Sequence, residues 1–311
     1  MIRIAVVGLG KIARDQHLPA IAASADFTLA ATVSPDGAGL ADTGMADVPH
    51  FASLDALLAQ GPAVDAVALC TPPQVRRELA LKALARGLHV LLEKPPAATL
   101  GEVAALQDAA AQGRASLFAA WHSRFAAGVE PARAWLAGRT ITSVAITWRE
   151  DVRVWHPGQA WIWQPGGLGV FDPGINALSI ATLILPRPLF LTRAVLDFPA
   201  NRAAPIAADL AFADAAGTPV SMDLDWRQTG PQTWDIVVQT DAGTLVLHQG
   251  GAVLKVPGCT QTREDREYAG IYARFAELVA SRSSEVDAAP LRLVADAFLC
   301  GTHRTCAAFE D

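Results

Sequence analysis

Residues 2–13 read Ile2-Arg-Ile-Ala-Val-Val-Gly8-Leu-Gly10-Lys-Ile-Ala13. The first six are almost all apolar, as in a strand buried on both faces of a parallel sheet. Gly8-x-Gly10-x-x-Ala13 follows that strand and opens a helix. In that setting the first glycine allows a tight turn and the second lets a pyrophosphate approach the backbone. The small third residue lets helix and strand pack closely, with the phosphates at the helix N-terminus. A lone G-x-G-x-x-A also occurs in plain structural turns. Its place at the head of a strand–helix alternation is what favours a dinucleotide.

The next hundred residues continue the alternation. Apolar runs at 27–33, 64–70, 88–92 and 116–120 are separated by helical stretches at 54–59, 74–85 and 100–111. Thr99, with Glu102 three positions on, forms a capping box for the last of these helices. Strands and helices alternating at this spacing build a parallel α/β sheet, and such sheets bind ligands beyond the carboxyl ends of their strands.

Three strand ends therefore matter: Val33-Ser34-Pro35-Asp36, Cys70-Thr71-Pro72-Pro73 and Leu92-Glu93-Lys94-Pro95-Pro96. Thr71 is placed to touch a cofactor's ribose or diphosphate, although a proline-stiffened turn explains it equally well. Ser34 suits either NAD or NADP. Asp36, turned inward, repels the extra phosphate of NADP, whereas Lys11 and Arg14 attract it, so the sequence leans only slightly to NAD. Lys94 is delivered to a strand end with two prolines fixing the chain behind it. Burial makes a lysine a usable base by destabilising the ammonium. Taken alone, the stretch also reads as a turn with a solvated lysine, and the rest of the chain is what favours chemistry.

From residue 122 the character changes. A long strand is expected over 141–152 and a helix over 168–185. Beyond residue 189, strands are separated by turn signals at 214–217, 241–243 and 250–251, short loops of the kind that join antiparallel neighbours. Helices over 268–280 and 291–308 finish the chain. The expected architecture is α/β followed by α+β. A Rossmann dinucleotide-binding domain, 1–121, precedes a substrate-binding domain, 122–311, with an open, mainly antiparallel sheet covered by helices. The C-terminal helix is free to pack back on the first domain.

The chain has 311 residues, 51% hydrophobic and 18% charged, with mean hydropathy +0.26 and formal net charge −6. Such a chain is globular and builds a substantial core. It has no basic cluster, so nucleic acid and anionic membranes are not expected as partners. No apolar run reaches the ~18 residues of a membrane span. A strand at Ile2 leaves no room for a signal peptide, and Cys70, Cys259, Cys300 and Cys306 fit reduced thiols. A cytoplasmic location is expected. The seven histidines include no HxH or HExxH pair, so no metal is expected.

Gly-Leu-Gly-Lys-Ile-Ala, Cys-Thr-Pro-Pro, Glu-Lys-Pro and Asp172-x-Gly-x-Asn176 together resemble the Gfo/Idh/MocA oxidoreductases over nearly the whole chain. Longer strings resemble the bacterial aldose 1-dehydrogenases that oxidise L-arabinose and D-galactose. These strings are Gly10-Lys-Ile-Ala-Arg-Asp-Gln-His-Leu-Pro-Ala20, Trp121-His-Ser-Arg124, Trp155-His-Pro-Gly158 and Phe171-Asp-Pro-Gly-Ile-Asn-Ala-Leu178. The resemblance implies hydride transfer from C1 of an aldopyranose to NAD or NADP, leaving a lactone. It implies cofactor contacts at Gly8, Gly10, Lys11, Ile12, Ser34, Thr71, Pro72, Glu93 and Lys94, and catalytic roles for Lys94, Asp172 and Asn176. Many relatives carry His where this chain has Asn176. Asparagine does not titrate near neutral pH, so it is left to orient the reacting hydroxyl, and a base has to be found elsewhere. Lys94 and Asp172 are both candidates. Our reading gives Lys94 the proton transfer or the polarisation of the hydroxyl, with Asp172 positioning it. Asp172 and Asn176 are four apart on a helix and share a face.

Six of the eight tryptophans fall between Trp121 and Trp163. Sugars present C–H faces to aromatic rings and hydroxyls to polar groups. His122, Glu150, Trp155, His156, Trp163 and Trp234 are the candidate sugar contacts, although any one tryptophan alone is more often core. The rival readings are another sugar oxidoreductase of the family (an aldose–aldose oxidoreductase or inositol dehydrogenase) and a non-catalytic cofactor or sugar sensor. Asn176 speaks against the inositol enzyme, and intact Lys94 and Asp172 against the sensor. An exposed sheet face in the second domain would allow a homodimer.

Overall fold

The computed structural model describes residues 1–35, 47–264 and 266–310. The chain divides into two compact units, Met1–Trp121 with Tyr268–Asp287, and His122–Glu267 with Ala288–Asp311.

In the first unit six strands form a sheet that is parallel throughout. They are β1 (Ile2–Val7), β2 (Phe27–Val33), β3 (His50–Phe51), β4 (Ala66–Leu69), β5 (His89–Glu93) and β6 (Leu117–Ala120). Their order, β3-β2-β1-β4-β5-β6, is the doubly wound one. It reverses between β1 and β4, where such sheets open a crevice for a dinucleotide. The helices are α1 (Leu18–Ala23), α2 (Leu54–Gln60), α3 (Pro73–Ala85) and α4 (Leu100–Gly113). The Thr99 hydroxyl caps α4 by accepting from the Glu102 N–H at 3.2 Å, and the Glu102 carboxylate returns to the Ala98 N–H at 3.1 Å. The helix Glu267–Ser281 completes this unit from Tyr268 on. Phe275 stacks on Phe27 and Phe118, and the Ser116 hydroxyl donates to the Leu278 carbonyl at 2.9 Å. The segment that joins the first unit thus comes from the helix before the last one.

The second unit holds α5 (Val129–Leu136), β7 (Ile141–Arg149), α6 (Val152–Trp155) and α7 (Phe171–Ile184). There follow β8 (Leu189–Pro199), β9 (Ala207–Asp214), β10 (Pro219–Asp225), β11 (Thr233–Thr240), β12 (Gly243–His248), β13 (Val253–Val256) and β14 (Cys259–Thr262). After α8 (Glu267–Ser281) the chain returns with α9 (Ala289–Cys300) and β15 (Thr302–Cys306). The nine strands are ordered β14-β13-β12-β11-β7-β10-β9-β8-β15. Neighbours are antiparallel except β7–β10 and β8–β15, which are parallel, so the sheet is mixed. Val144, Ile146 and Trp148 of β7 and Val220, Met222 and Leu224 of β10 alternate inward and are buried. The helix α7 lies close above this face: a Cβ on Gly174 would meet the Leu224 side chain at 2.7 Å.

Three boundaries differ from the sequence reading. The strand expected over 141–152 stops at Arg149, because the Asp151 carboxylate accepts from the Arg153 N–H at 3.0 Å and caps α6. The helix expected over 168–185 begins at Phe171, since Gly169 takes φ +53° against Pro205. The helix expected over 291–308 ends at Cys300. A Cβ on Gly301 would meet the Ala297 carbonyl oxygen at 2.4 Å, and the chain turns there into β15. No helix among the described residues is long and apolar enough to cross a membrane.

Candidate active site

The turn after β1 runs against the end of β4. Gly8 takes φ +91°, and a Cβ there would meet the Cys70 carbonyl carbon and the Thr71 nitrogen and Cγ2 at 3.0 Å, so no side chain is tolerated. Two bonds of 2.8 Å, Cys70 N–H to the Val7 carbonyl and Gly8 N–H to the Val33 carbonyl, hold three strand ends together. A Cβ on Gly10 would meet nothing within 4 Å, so the chain is open to an incoming group there. The helix beyond begins with two α residues and passes through a π-helical turn, Ala13–His17, before α1.

Two hydroxyls at this edge are unsatisfied. Ser34 Oγ, beyond β2, and Thr71 Oγ1, beyond β4, are buried with no hydrogen-bond partner among the described residues. An unpaired buried hydroxyl costs about 1–3 kcal/mol, and the ribose and phosphate oxygens of a dinucleotide would remove that cost. The residues present therefore fit such a cofactor, with Gly8, Gly10, Ser34 and Thr71 as its cradle. Pro72 stands at the N-cap position of α3, with no side-chain bond to the helix, and Ile12 is half-buried. Lys11 is exposed and paired with Asp15. Asp36, on which the choice between NAD and NADP bears, lies outside the described residues.

Glu93 ends β5 with its side chain turned into the core. Oε1 accepts from Tyr268 O–H at 2.6 Å and faces His17 Nε2 at 3.0 Å, while Oε2 accepts from the Lys94 N–H at 2.8 Å. His17 Nδ1 lies 2.8 Å from the Tyr272 hydroxyl. Burial alone would lower the His17 imidazole, but Cys70, Tyr272 and Glu93 outweigh it and hold it well above the usual histidine value. Burial pushes Tyr272 up to about 12, which keeps its hydroxyl neutral. The buried Arg76 guanidinium donates to the carbonyls of Glu93, Pro95 and Thr71. It thereby ties the end of β4 to the loop that carries the partly exposed Lys94.

In the second unit Asp172 lies in the first turn of α7, 3% exposed, where the helix dipole favours a carboxylate. Its Oδ2 is 3.7 Å from His156 Nδ1, and His156 Nε2 is 3.2 Å from Glu150 Oε1. Two indoles hold Glu150 from the other side: Trp234 Nε1 donates to Oε2 at 2.8 Å and Trp226 Nε1 to Oε1 at 3.3 Å. The local chain explains the arrangement. The Glu150 N–H bonds the Asp225 carbonyl, and the Asp151 cap starts the short α6. The His156 N–H then closes on the Val152 carbonyl at 2.8 Å, returning the imidazole to Glu150. Buried charges are tolerated only when paired and hydrogen-bonded, and His156 lies between two of them.

Trp155 is 39% exposed, its ring tilted on Trp234 at 4.8 Å, while Trp234 stacks on Trp148. This is an accessible aromatic wall beside the carboxylates. Trp163, by contrast, is buried edge-on against Trp226, with the Arg202 guanidinium over its ring. Asn176 lies one turn beyond Asp172, half-buried. His122 Nδ1 meets Glu267 Oε2 at 2.5 Å. Among the described residues no group of three His, Cys, Asp or Glu side chains is placed to hold a metal.

Sequence reading missed Trp226, Arg76, His17, Tyr268 and Tyr272. Trp226 had a signal, since it extends the i, i+2 row of Val220, Met222 and Leu224. The others act through contacts distant in sequence.

A family model described as an oxidoreductase family with an NAD-binding Rossmann fold, GFO_IDH_MocA, matches residues 2–120. Over all 311 residues the chain is 48% identical to a galactose 1-dehydrogenase of Pseudomonas fluorescens, of which it covers 99%. It is similar in structure to a D-galactose-1-dehydrogenase from Rhizobium etli. That TM-score is 0.93 at 57% identity, over 99% of this chain and 98% of that one. A 3-ketoreductase from Actinomadura kijaniata, solved with NADP and TDP-benzene, shares the fold at 19% identity and TM-score 0.85, over 98% of this chain and 99% of that one.

Proposed function

The chain belongs to the Gfo/Idh/MocA oxidoreductases, and from that premise we propose that it is an NAD- or NADP-dependent aldose 1-dehydrogenase. Its substrate is an aldopyranose such as D-galactose or L-arabinose, and its product the lactone. The C1–H bond breaks with its electron pair, the C1 hydroxyl gives up its proton, and C1 becomes the lactone carbonyl. The dinucleotide, when bound, supplies the hydride acceptor. Gly8, Gly10, Ser34 and Thr71 hold it, and NAD is the preferred form. Lys94 takes or polarises the hydroxyl proton, Asp172 positions the reacting group, and Asn176 orients the hydroxyl by hydrogen bonding. Alignment of C1 supplies much of the rate enhancement.

The observation that carries this reading is the row Glu150–His156–Asp172 beside the Trp155–Trp234 wall. Two carboxylates and an imidazole offer hydroxyl partners, and the rings offer a face for sugar C–H groups. A cytoplasmic location and a homodimer paired through the outer face of the nine-stranded sheet belong to the same proposal. To test it, purified protein is mixed with NAD or NADP and a panel of aldoses, and the product is identified by NMR. Reduction of the cofactor with D-galactose or L-arabinose and a lactone signal are expected. A keto sugar formed by oxidation at another carbon, or no reduction with any aldose, would contradict the reading.

A further inference from the structure

We propose that His17 is a positioning residue for Lys94. With Glu93, Tyr268 and Tyr272 it forms a buried clamp joining the helix after the dinucleotide loop to the strand end that carries the lysine. The inference rests on the role given to Lys94 above.

Glu93 is 3% exposed and His17 fully buried. The carboxylate receives the Tyr268 O–H, the His17 Nε2–H and the Lys94 N–H, a set of donors that matches its ionised form. Because Oε2 holds the backbone N–H of Lys94 itself, this carboxylate sets the direction in which the chain leaves β5. Arg76 fixes the same stretch by its carbonyls, at Glu93 and Pro95.

His17 reaches Glu93 from the π-helical turn Ala13–His17. One extra residue in a turn rotates the rest of the helix by about 100°, so a regular α-helix would present a different residue to the carboxylate. The irregular turn therefore serves the contact. It begins three residues after Gly10, so the clamp spans the dinucleotide cradle and the lysine within one unit. The other titratable or charged groups placed against the pair are Cys70, just beyond β4, Tyr268 and Tyr272 from α8, and Arg76 from α3 through the Glu93 carbonyl.

A displacement of about 1 Å in a reacting group costs up to ~100-fold in rate, and that is the size of effect the clamp controls. The test compares His17→Gln, Glu93→Gln, the double variant and Tyr268→Phe, with Lys94→Ala as control. Melting temperature, NADH binding by fluorescence, kcat, KM for D-galactose and the pH profile of kcat are measured for each.

Each single charge variant lowers Tm by leaving its partner buried without a counter-charge, and the double variant regains most of it. The proposal expects kcat to stay about 10- to 100-fold down in the double variant. It also expects KM and NADH binding to hold within about twofold and the acidic limb of the pH profile to shift. A double variant that regains Tm, kcat and the wild-type profile together would show mere packing and overturn it. Should the charge variants not fold, Tyr268→Phe removes one hydroxyl only, and an unchanged kcat there overturns the proposal equally. An active Lys94→Ala overturns the proposed function instead. An inactive Lys94→Ala beside fully active clamp variants overturns this inference alone.

Discussion

Replacing Glu150 by glutamine keeps the side chain's shape and removes one acceptor. In the native site Oε1 takes the Trp226 N–H at 3.3 Å and faces His156 at 3.2 Å, and Oε2 takes the Trp234 N–H at 2.8 Å. The amide has one oxygen for these two places. Trp226 is fully buried, whereas Trp234 is partly exposed, so the oxygen turns toward Trp226 and the NH2 faces the Trp234 donor. A hydrogen bond to a charged group contributes about 1.5–3 kcal/mol. Water replaces part of that loss at Trp234, which leaves about 2 kcal/mol of destabilisation. At roughly 2 °C per kcal/mol for a chain of this size, Tm falls by about 4 °C.

Trp234 also loses the bond that holds its ring as the wall for Trp155, so KM for D-galactose rises about tenfold, equivalent to ~1.4 kcal/mol. Thermal unfolding and steady-state kinetics on Glu150→Gln, Trp234→Phe and the double variant measure both effects. The two single losses should overlap by at least ~1 kcal/mol, because they delete the same bond. Wild-type Tm and KM in Glu150→Gln, or strictly additive losses, would refute the reasoning.

Three further outcomes are expected. Gly8→Ala forces a Cβ to 3.0 Å from the end of β4 at φ +91°; NADH binding weakens about tenfold or more, and an unchanged fluorescence titration would count against the cradle. Asn176→Ala removes the group proposed to orient the C1 hydroxyl and is expected to lower kcat/KM by about 5- to 100-fold, or ~1–3 kcal/mol; equal kinetics would remove Asn176 from the mechanism. Burial raises the Asp214 carboxyl, but the N–H groups of Thr218 and Ala216 and the Arg187 guanidinium outweigh it and hold it down at about 2. A carboxyl that is more acidic folded than unfolded stabilises above about pH 4 and loses that contribution as pH falls toward 2. Urea unfolding across that window should show a shallower pH dependence for Asp214→Asn than for wild type, and identical slopes would disprove the assignment.

Local signals in the sequence carried most of the first unit. The run 2–7 and the glycines at 8 and 10 place β1 and its turn, and Thr99 with Glu102 starts α4 where the capping box predicts. Signals failed where a neighbour decides the boundary. Gly301 was readable as a helix stop, but the parallel pairing of Thr302–Cys306 with β8 was not, since nothing within those five residues announces a partner a hundred positions away. The strand β3 has two residues and exists only through its pairing with Thr32 and Val33. Lys94 in the first unit and Asp172, Glu150 and His156 in the second stood out by residue type and motif. The groups that bond Glu150 or the end of β5 next to Lys94, namely Trp226, Arg76, His17 and Tyr268, looked like an ordinary helix charge and core aromatics. Their roles depend on side-chain direction, which composition and spacing do not carry.

The central claim is that this chain oxidises C1 of an aldopyranose with Lys94 handling the hydroxyl proton. The most direct test tracks cofactor reduction by wild type and Lys94→Ala with D-galactose at saturating NAD, after NADH titration has confirmed that both bind dinucleotide. The account predicts turnover in the wild type and a loss of about 100-fold or more in kcat for Lys94→Ala, with NADH binding retained. Near-wild-type turnover by Lys94→Ala, or no turnover by the wild type with any aldose and either cofactor, would contradict it.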